Sequence, residues 1–210
     1  MEFDFKIELH LIKLLGIKAK NIEELYEQFQ DIPLSSIYYH THRFLKQHHF
    51  LSPEPPNDFA YWIKNTLNIK DLSEAIASID TIKYQDLNEL KIEISLILED
   101  YLKKTNKTND CQKGEEFHFM SCQTFVLPTG YKANNLQEFY ETIKLIDIGS
   151  IYFHIFEAKL RLKKDENDFQ SWLNQIGEDA LSKQFINLDP YNMTLENLRK
   201  KILQIIEKRL

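Results

Sequence analysis

Two stretches of this chain read as versions of one another: Ser36 to Trp62, SIYYHTHRFLKQHHFLSPEPPNDFAYW, and Ser150 to Trp172, SIYFHIFEAKLRLKKDENDFQSW. Sliding the sequence on itself by 114 residues, Phe3 onto Phe117, extends the match over most of the chain. Phe3, Phe5, Gly16, Lys18, Ala19, Asn21, Glu24, Tyr26, Glu27, Ile32, Ser36, Ile37, Tyr38 and His40 then meet identical residues, ending at His154. Chance does not produce such a run in register. A four-residue loss in the second copy brings Asn57, Asp58, Phe59 and Trp62 onto Asn167, Asp168, Phe169 and Trp172, and a further slip puts Ile79-Asp80 on Leu188-Asp189. A period of about 110 residues is far longer than the roughly 20–50 residues of a solenoid repeat, so the chain is expected to build one unit twice, related by pseudo-symmetry.

Each unit opens on an aromatic alternation, Phe3/Phe5 or Phe117/Phe119, which suits a short strand, and Gly16 or Gly130 then marks a turn. Asn21 with Glu24 and Asn135 with Glu138 carry the spacing of a capped helix start, where two orphan amides are satisfied. Ser36 and Ser150 are placed to cap the next helix, and Asp58 and Asp168 the one after it. Further helices are expected over Asp71–Ile79 and Leu181–Leu188, and over Asp86–Lys103 and Thr194–Arg209. Residues 104–116, KTNKTNDCQKGEE, are polar and without periodicity, a linker between repeat 1 (1–103) and repeat 2 (117–210). The expected fold is mainly α with short β-strands at the start of each repeat, an internally duplicated, pseudo-twofold helical protein packed as one fused body in which the short strands pair.

The second helix concentrates the chemistry. At 100° per residue, Ile37, His40, Phe44, His48 and Leu51 share one stripe, and Tyr38, His42, Leu45 and His49 another. The second copy fills the slots of His42 and His48 with Phe156 and Leu162, so only His40 and His154 persist. A histidine on an apolar face is most economically a core residue whose ring nitrogens find buried partners. The sharper alternative brings His40 and His154 together across the pseudo-twofold, with Asp58, Asp168, Tyr38, Tyr152, Trp62 and Trp172, in a central polar pocket. Metal binding by His42, His48 and His49 with His40 lacks any pair at i,i+4 spacing that would aim two imidazoles at one ion. Trp62 and Trp172 read as core anchors before sugar platforms. Lys18 and Lys132, just ahead of a capping asparagine, sit where an anion would bind a helix start, although solvated lysines are the plainer reading. Ser52 to Pro56, found in the first copy alone, reads as a stiff extended connector, with a docking edge for a partner as the alternative.

A chain of 210 residues suffices for one domain or two small ones. Its net charge of −6, without a long run of either sign, argues against nucleic acid or anionic lipid as partner. The acidic, aromatic start has no signal-peptide pattern, and no apolar run reaches the roughly 18 residues of a membrane span, so a cytoplasmic protein is expected. Cys111 and Cys122 have neither the spacing nor the number for zinc and read as reduced thiols. There is no Walker loop, G-x-G-x-x-G, G-x-S-x-G or His-Glu-x-x-His, so no cofactor is expected.

At S-I-Y-Y-H (36–40), P-E-P-P-N-D-F-A-Y-W (53–62) and T-G-Y-K-A-N-N-L (129–136) the chain resembles an uncharacterised prokaryotic domain-of-unknown-function family with the same two-unit layout. The resemblance spans nearly the whole chain and implies no activity and no catalytic residues. It also implies an association, in some members, with sugar-nucleotide glycosyltransferases. The expectation is therefore a non-catalytic binding or accessory protein, linked to carbohydrate metabolism through a partner enzyme. One alternative is a hydrolytic or sugar-directed enzyme that uses the histidines of repeat 1 with Glu54 or Asp58 as acid or base. The other is a structural protein that forms a homodimer or binds a protein partner through the last helix.

Overall fold

The aromatic alternation at the head of each repeat becomes a strand, β1 (Phe3–Ala19) and β2 (Phe117–Ala133), and the two pair antiparallel in one two-stranded sheet. The structure, a computed structural model, describes residues 1–47, 55–105, 109–186, 188 and 193–210. Each strand runs 17 residues, beyond the aromatic pair and through the glycine where the sequence suggests a turn. Gly16 and Gly130 hold φ of +76° and +84° inside the strands. Glycine adopts that conformation without strain, so each glycine sits inside a longer strand rather than at the expected turn.

The same order of elements then follows twice. After β1 come α1 (Ile22–Asp31), α2 (Leu34–Tyr38), a π-helical turn (Tyr39–Arg43), α3 (Phe44–Gln47), α4 (Asp58–Asn65), α5 (Lys70–Ala77), a 3₁₀ turn (Thr81–Lys83) and α6 (Leu87–Lys104). After β2 come α7 (Leu136–Leu145), α8 (Ile148–Tyr152), a π-helical turn (Phe153–Glu157), α9 (Ala158–Leu162), α10 (Asp168–Gln175), α11 (Asp179–Ser182), a 3₁₀ turn (Lys183–Phe185) and α12 (Leu195–Glu207). The fold is mainly α with a strand opening each repeat. Among the described residues no helix is long and apolar enough to cross a membrane.

Local chemistry explains the helix starts. Asn21 and Asn135 accept from the amides of Glu24 and Glu138 at 2.8 and 2.9 Å. The glutamates reach back one residue further than a capping box requires, to the amides of Lys20 and Asn134. Ser36 and Ser150, by contrast, lie inside their helices: α2 starts after Pro33, and α8 is capped by Asp147. The helix expected over Leu181–Leu188 shortens to α11 and the 3₁₀ turn, and α11 starts without a side-chain cap. The described end of the linker is docked. Cys111 donates its amide to the Lys20 carbonyl at 2.7 Å, and Asp110 accepts from the Asn21 side chain at 2.6 Å. Burial pushes the Cys111 thiol above its ordinary range, which keeps it protonated and unreactive. Lys18 and Lys132 pair with Glu116 and Glu2 at 3.5 and 2.6 Å, so carboxylates of the chain take the place of the anion considered for them.

The described residues gather into two compact units, and these do not coincide with the repeats. One consists of Met1–Leu9 with Thr124–Leu210; the other of His10–Gln47 with the described part of 53–123. In the first, Phe3 and Phe5 of repeat 1 pack on Phe139, Phe169 and His154 of repeat 2, with ring centroids 4.9–6.2 Å apart. In the second, Phe117 and Phe119 of repeat 2 join the core formed by Ile22, Leu25, Phe29, Phe59 and Trp62 of repeat 1. Each strand thus supplies its aromatic start to the helices of the other repeat. The boundaries 1–103, 104–116 and 117–210 describe the sequence repeats; each compact unit draws on both.

Candidate functional site

Each helix set receives its foreign strand through a histidine. His40 and His154 stand at the second position of the two π-helical turns and are 2% exposed. His154 Nδ1 lies 2.7 Å from Asp168 Oδ2, and its Nε2 is 2.8 Å from the backbone nitrogen of Lys6. His40 repeats this arrangement, with Nδ1 2.7 Å from Asp58 Oδ2 and Nε2 2.9 Å from the backbone nitrogen of Met120. A backbone N–H can only donate, so Nε2 is the accepting nitrogen, and the ring proton sits on Nδ1 and is given to the aspartate. The tautomer follows from the partners. A tryptophan adds a second tie: Trp172 Nε1 donates to the Met1 carbonyl at 2.9 Å, and Trp62 Nε1 to the Glu115 carbonyl at 2.7 Å.

The aspartates reach the histidines because they do not cap. Asn57 and Asn167 are the N-caps of α4 and α10, accepting from Ala60 and Gln170 amides at 2.9 Å. This corrects the capping role expected of Asp58 and Asp168. They take the first helical position, where their carboxylates face the histidines and the positive end of the helix dipole favours their charge. Asn57 is fully buried. Asn57→Ala is expected to cost about 1–2 kcal/mol, measured by urea denaturation; an unchanged midpoint would show the cap to be dispensable.

The π turns also alter the face assignment. One extra residue per turn breaks the 100° phase, and His40, Thr41, His42 and Arg43 are all buried, as are all five residues of Phe153–Glu157. Tyr39 alone among these ten residues is half-exposed, so neither segment is striped. Tyr38 stacks on His42 at 5.8 Å between centroids, and Tyr152 packs on Phe156 at 5.3 Å, so phenylalanine fills the role of His42 in repeat 2. Among the described residues no three His, Cys, Asp or Glu side chains come together to hold a metal. His48, His49 and Glu54 lie outside the described residues.

Beside the repeat 2 dyad lies a cavity of about 370 Å³, lined among others by Glu2, Lys6, His154, Arg161, Asp168 and Trp172. Arg161 donates to Asp168 Oδ2 at 2.5 Å and lies over the Phe153 ring, 4.5 Å from its centroid. Burial holds the His154 imidazole below its ordinary range, against the pull of Asp168. Burial acts to raise Asp168, but hydrogen bonds and charge from His154 and Arg161 outweigh it and hold the carboxyl below its usual range. The ring is therefore neutral at neutral pH and shares no free lone pair with the cavity.

The structure brings His40 to Asp58 and His154 to Asp168, with Trp172 on the same cavity as His154 and Trp62 against Phe117, which also packs on His40. The sharper alternative from the sequence puts both histidines in one pocket; here each is engaged at both ring nitrogens within its own unit. Sequence reasoning missed Arg161 and Lys6. Arg161 sits in the run KLRLKK, where nothing marks one cation over another, and Lys6 enters the dyad through its backbone, which leaves no side-chain signal.

No curated protein sequence matches the chain. Among solved structures, OrfY from Thermoproteus tenax has a similar fold, with a TM-score of 0.80 and 24% sequence identity, over 99% of this chain and 95% of that one. The profile of a family of unknown function, DUF5752, matches residues 1–207. On that match, together with the strand and helix order seen twice above, the chain belongs to the DUF5752 family.

Proposed function

We propose that this protein is a non-catalytic binding or accessory module whose ligand occupies the cavity beside His154, Asp168 and Arg161. The observation that carries the reading is the use of both ring nitrogens in each dyad: Nε2 of His40 and of His154 accepts a backbone amide. A general base needs a lone pair within reach of substrate, and these are spent on holding the strands. The cavity wall offers Arg161, Lys6 and Lys164 as cations, Glu2 and Asp4 as anions, and Trp172 as an apolar face. That mixture suits a small ligand bearing both an anionic group and hydroxyls, such as a sugar phosphate, and fits an accessory role beside a carbohydrate-active enzyme. Cys111 and Cys122 are not joined in disulfides, which supports a reducing, cytoplasmic setting. The recurring element order and the matched histidine and tryptophan ties support descent from a duplicated unit.

A thermal-shift screen of the full chain against sugar phosphates, nucleotides and divalent metals tests the reading. A ligand at a hundred times its Kd adds about 2.7 kcal/mol to native stability, and the shift is expected to vanish in Arg161→Gln. Turnover of a sugar phosphate or sugar nucleotide by the wild type, lost in Asp58→Asn or Asp168→Asn, would replace this reading with the enzymatic one.

A further inference from the structure

In each repeat an arginine covers the ring that opens the π turn, and its charge is treated differently. In repeat 2 the Arg161 guanidinium covers Phe153 and is neutralised by Asp168. In repeat 1 the matching ring is Tyr39, and Arg43 covers it at 4.6 Å. Arg43 is only 8% exposed. Its Nε and Nη1 are buried and reach no hydrogen-bond partner, and no carboxylate of the described residues pairs with it. Its position in the π turn corresponds to Glu157 in repeat 2, so the duplicated fold does not require a cation there.

A buried guanidinium with unsatisfied donors is costly unless an anion meets it. The Tyr39 ring supplies cation–π attraction, but it satisfies none of the N–H donors. A planar fork is the donor geometry that oxyanions accept in a bidentate manner. We propose that Arg43, over the Tyr39 ring, is a binding site for a small oxyanion, either a phosphate group or a carboxylate, from outside the chain. The site lies in the other compact unit from the cavity beside His154, so it stands or falls apart from the function proposed above.

The test uses the full chain at constant ionic strength. Inorganic phosphate, glucose 6-phosphate and acetate are titrated separately into wild type, Arg43→Gln and, as a control for surface charge, Lys64→Gln, with binding read by calorimetry. Wild type and Lys64→Gln are expected to bind at least one of the three with equal affinity, and Arg43→Gln at least tenfold more weakly; which anion binds distinguishes phosphate from carboxylate. Phenylglyoxal labelling of wild type gives an answer that does not depend on the variant folding: modification of Arg43, read by peptide mass, slows at least fivefold when the bound anion is present. Equal affinity in wild type and Arg43→Gln, no binding of any of the three to wild type, or labelling of Arg43 that the anion leaves unchanged would overturn the proposal.

Discussion

Phe5→Ala is expected to loosen the helices of repeat 2 and to spare those of repeat 1, although Phe5 belongs to repeat 1. The ring is fully buried and packs on Phe139 and Phe169 at centroid distances of 5.4 and 6.2 Å. Removing a buried phenylalanine costs about 3–5 kcal/mol through lost transfer energy and the cavity left behind. Hydrogen exchange under native conditions should therefore accelerate in α7 and α10. Phe119→Ala should do the reverse, because Phe119 belongs to the core built on α1 and α4. Acceleration in α1 and α4 on replacing Phe5, or an equal rise in both helix sets, would contradict the exchange of strands.

The second large effect concerns His154. His154→Ala removes two part-buried hydrogen bonds and leaves the Lys6 amide without its acceptor, so a loss of about 2–4 kcal/mol is expected. Asp168 stays paired with Arg161, which limits the damage. The histidine also sets a pH dependence. Burial lowers its folded-state value below the ordinary 6.5, so on acidification the unfolded chain takes up a proton that the folded chain refuses. Stability is then lost as pH falls below about 6.5, by at most about 1.4 kcal/mol per pH unit from this group, and is insensitive to it above that. Asp168 acts in a separate window: its depressed value keeps its contribution intact above 3.8, to be lost only in stronger acid. Urea denaturation at pH 5.0 and 7.5 checks the part due to His154. His154→Ala should narrow the stability difference between the two pH values; an unchanged difference would mean that His154 is not held neutral by the fold.

Much of this architecture is written in local sequence, and the rest is not, for identifiable reasons. Asn21 and Asn135 announce their helices because a capping side chain acts within three residues, and the aromatic alternation announces strands for a similar reason. The plain reading of His40 and His154, core residues with buried partners for both nitrogens, follows from their apolar setting and matches the observed bonds. Asp58 and Asn57 are adjacent and both are good caps, so the sequence alone does not say which one caps and which one meets the histidine. The π turns are invisible to any analysis that assumes 3.6 residues per turn, and every face assigned beyond His40 inherits that error. The strand exchange is the least legible feature. Phe5 and Phe119 are identical residues at equivalent positions of the two repeats, and a repeat reveals what it resembles without revealing which copy of the helices it will pack against.

That exchange has a consequence for the order in which the protein can be assembled. Residues 1–9 are synthesised well before residues 124–210, the helices of which they join, while α1 to α6 wait for Phe117 and Phe119 before their own core can close. Contacts between residues more than 100 positions apart, such as Lys6 to His154 at a separation of 148, place this chain among slowly maturing topologies. On the ribosome, the unit containing α1 to α6 is therefore completed first, and the amino-terminal segment is held in reserve, its Phe3 and Phe5 unsheltered, until the last helices emerge. A holdase that recognises Phe3 and Phe5 during that interval would raise the yield of native protein without having any part in what the finished molecule does.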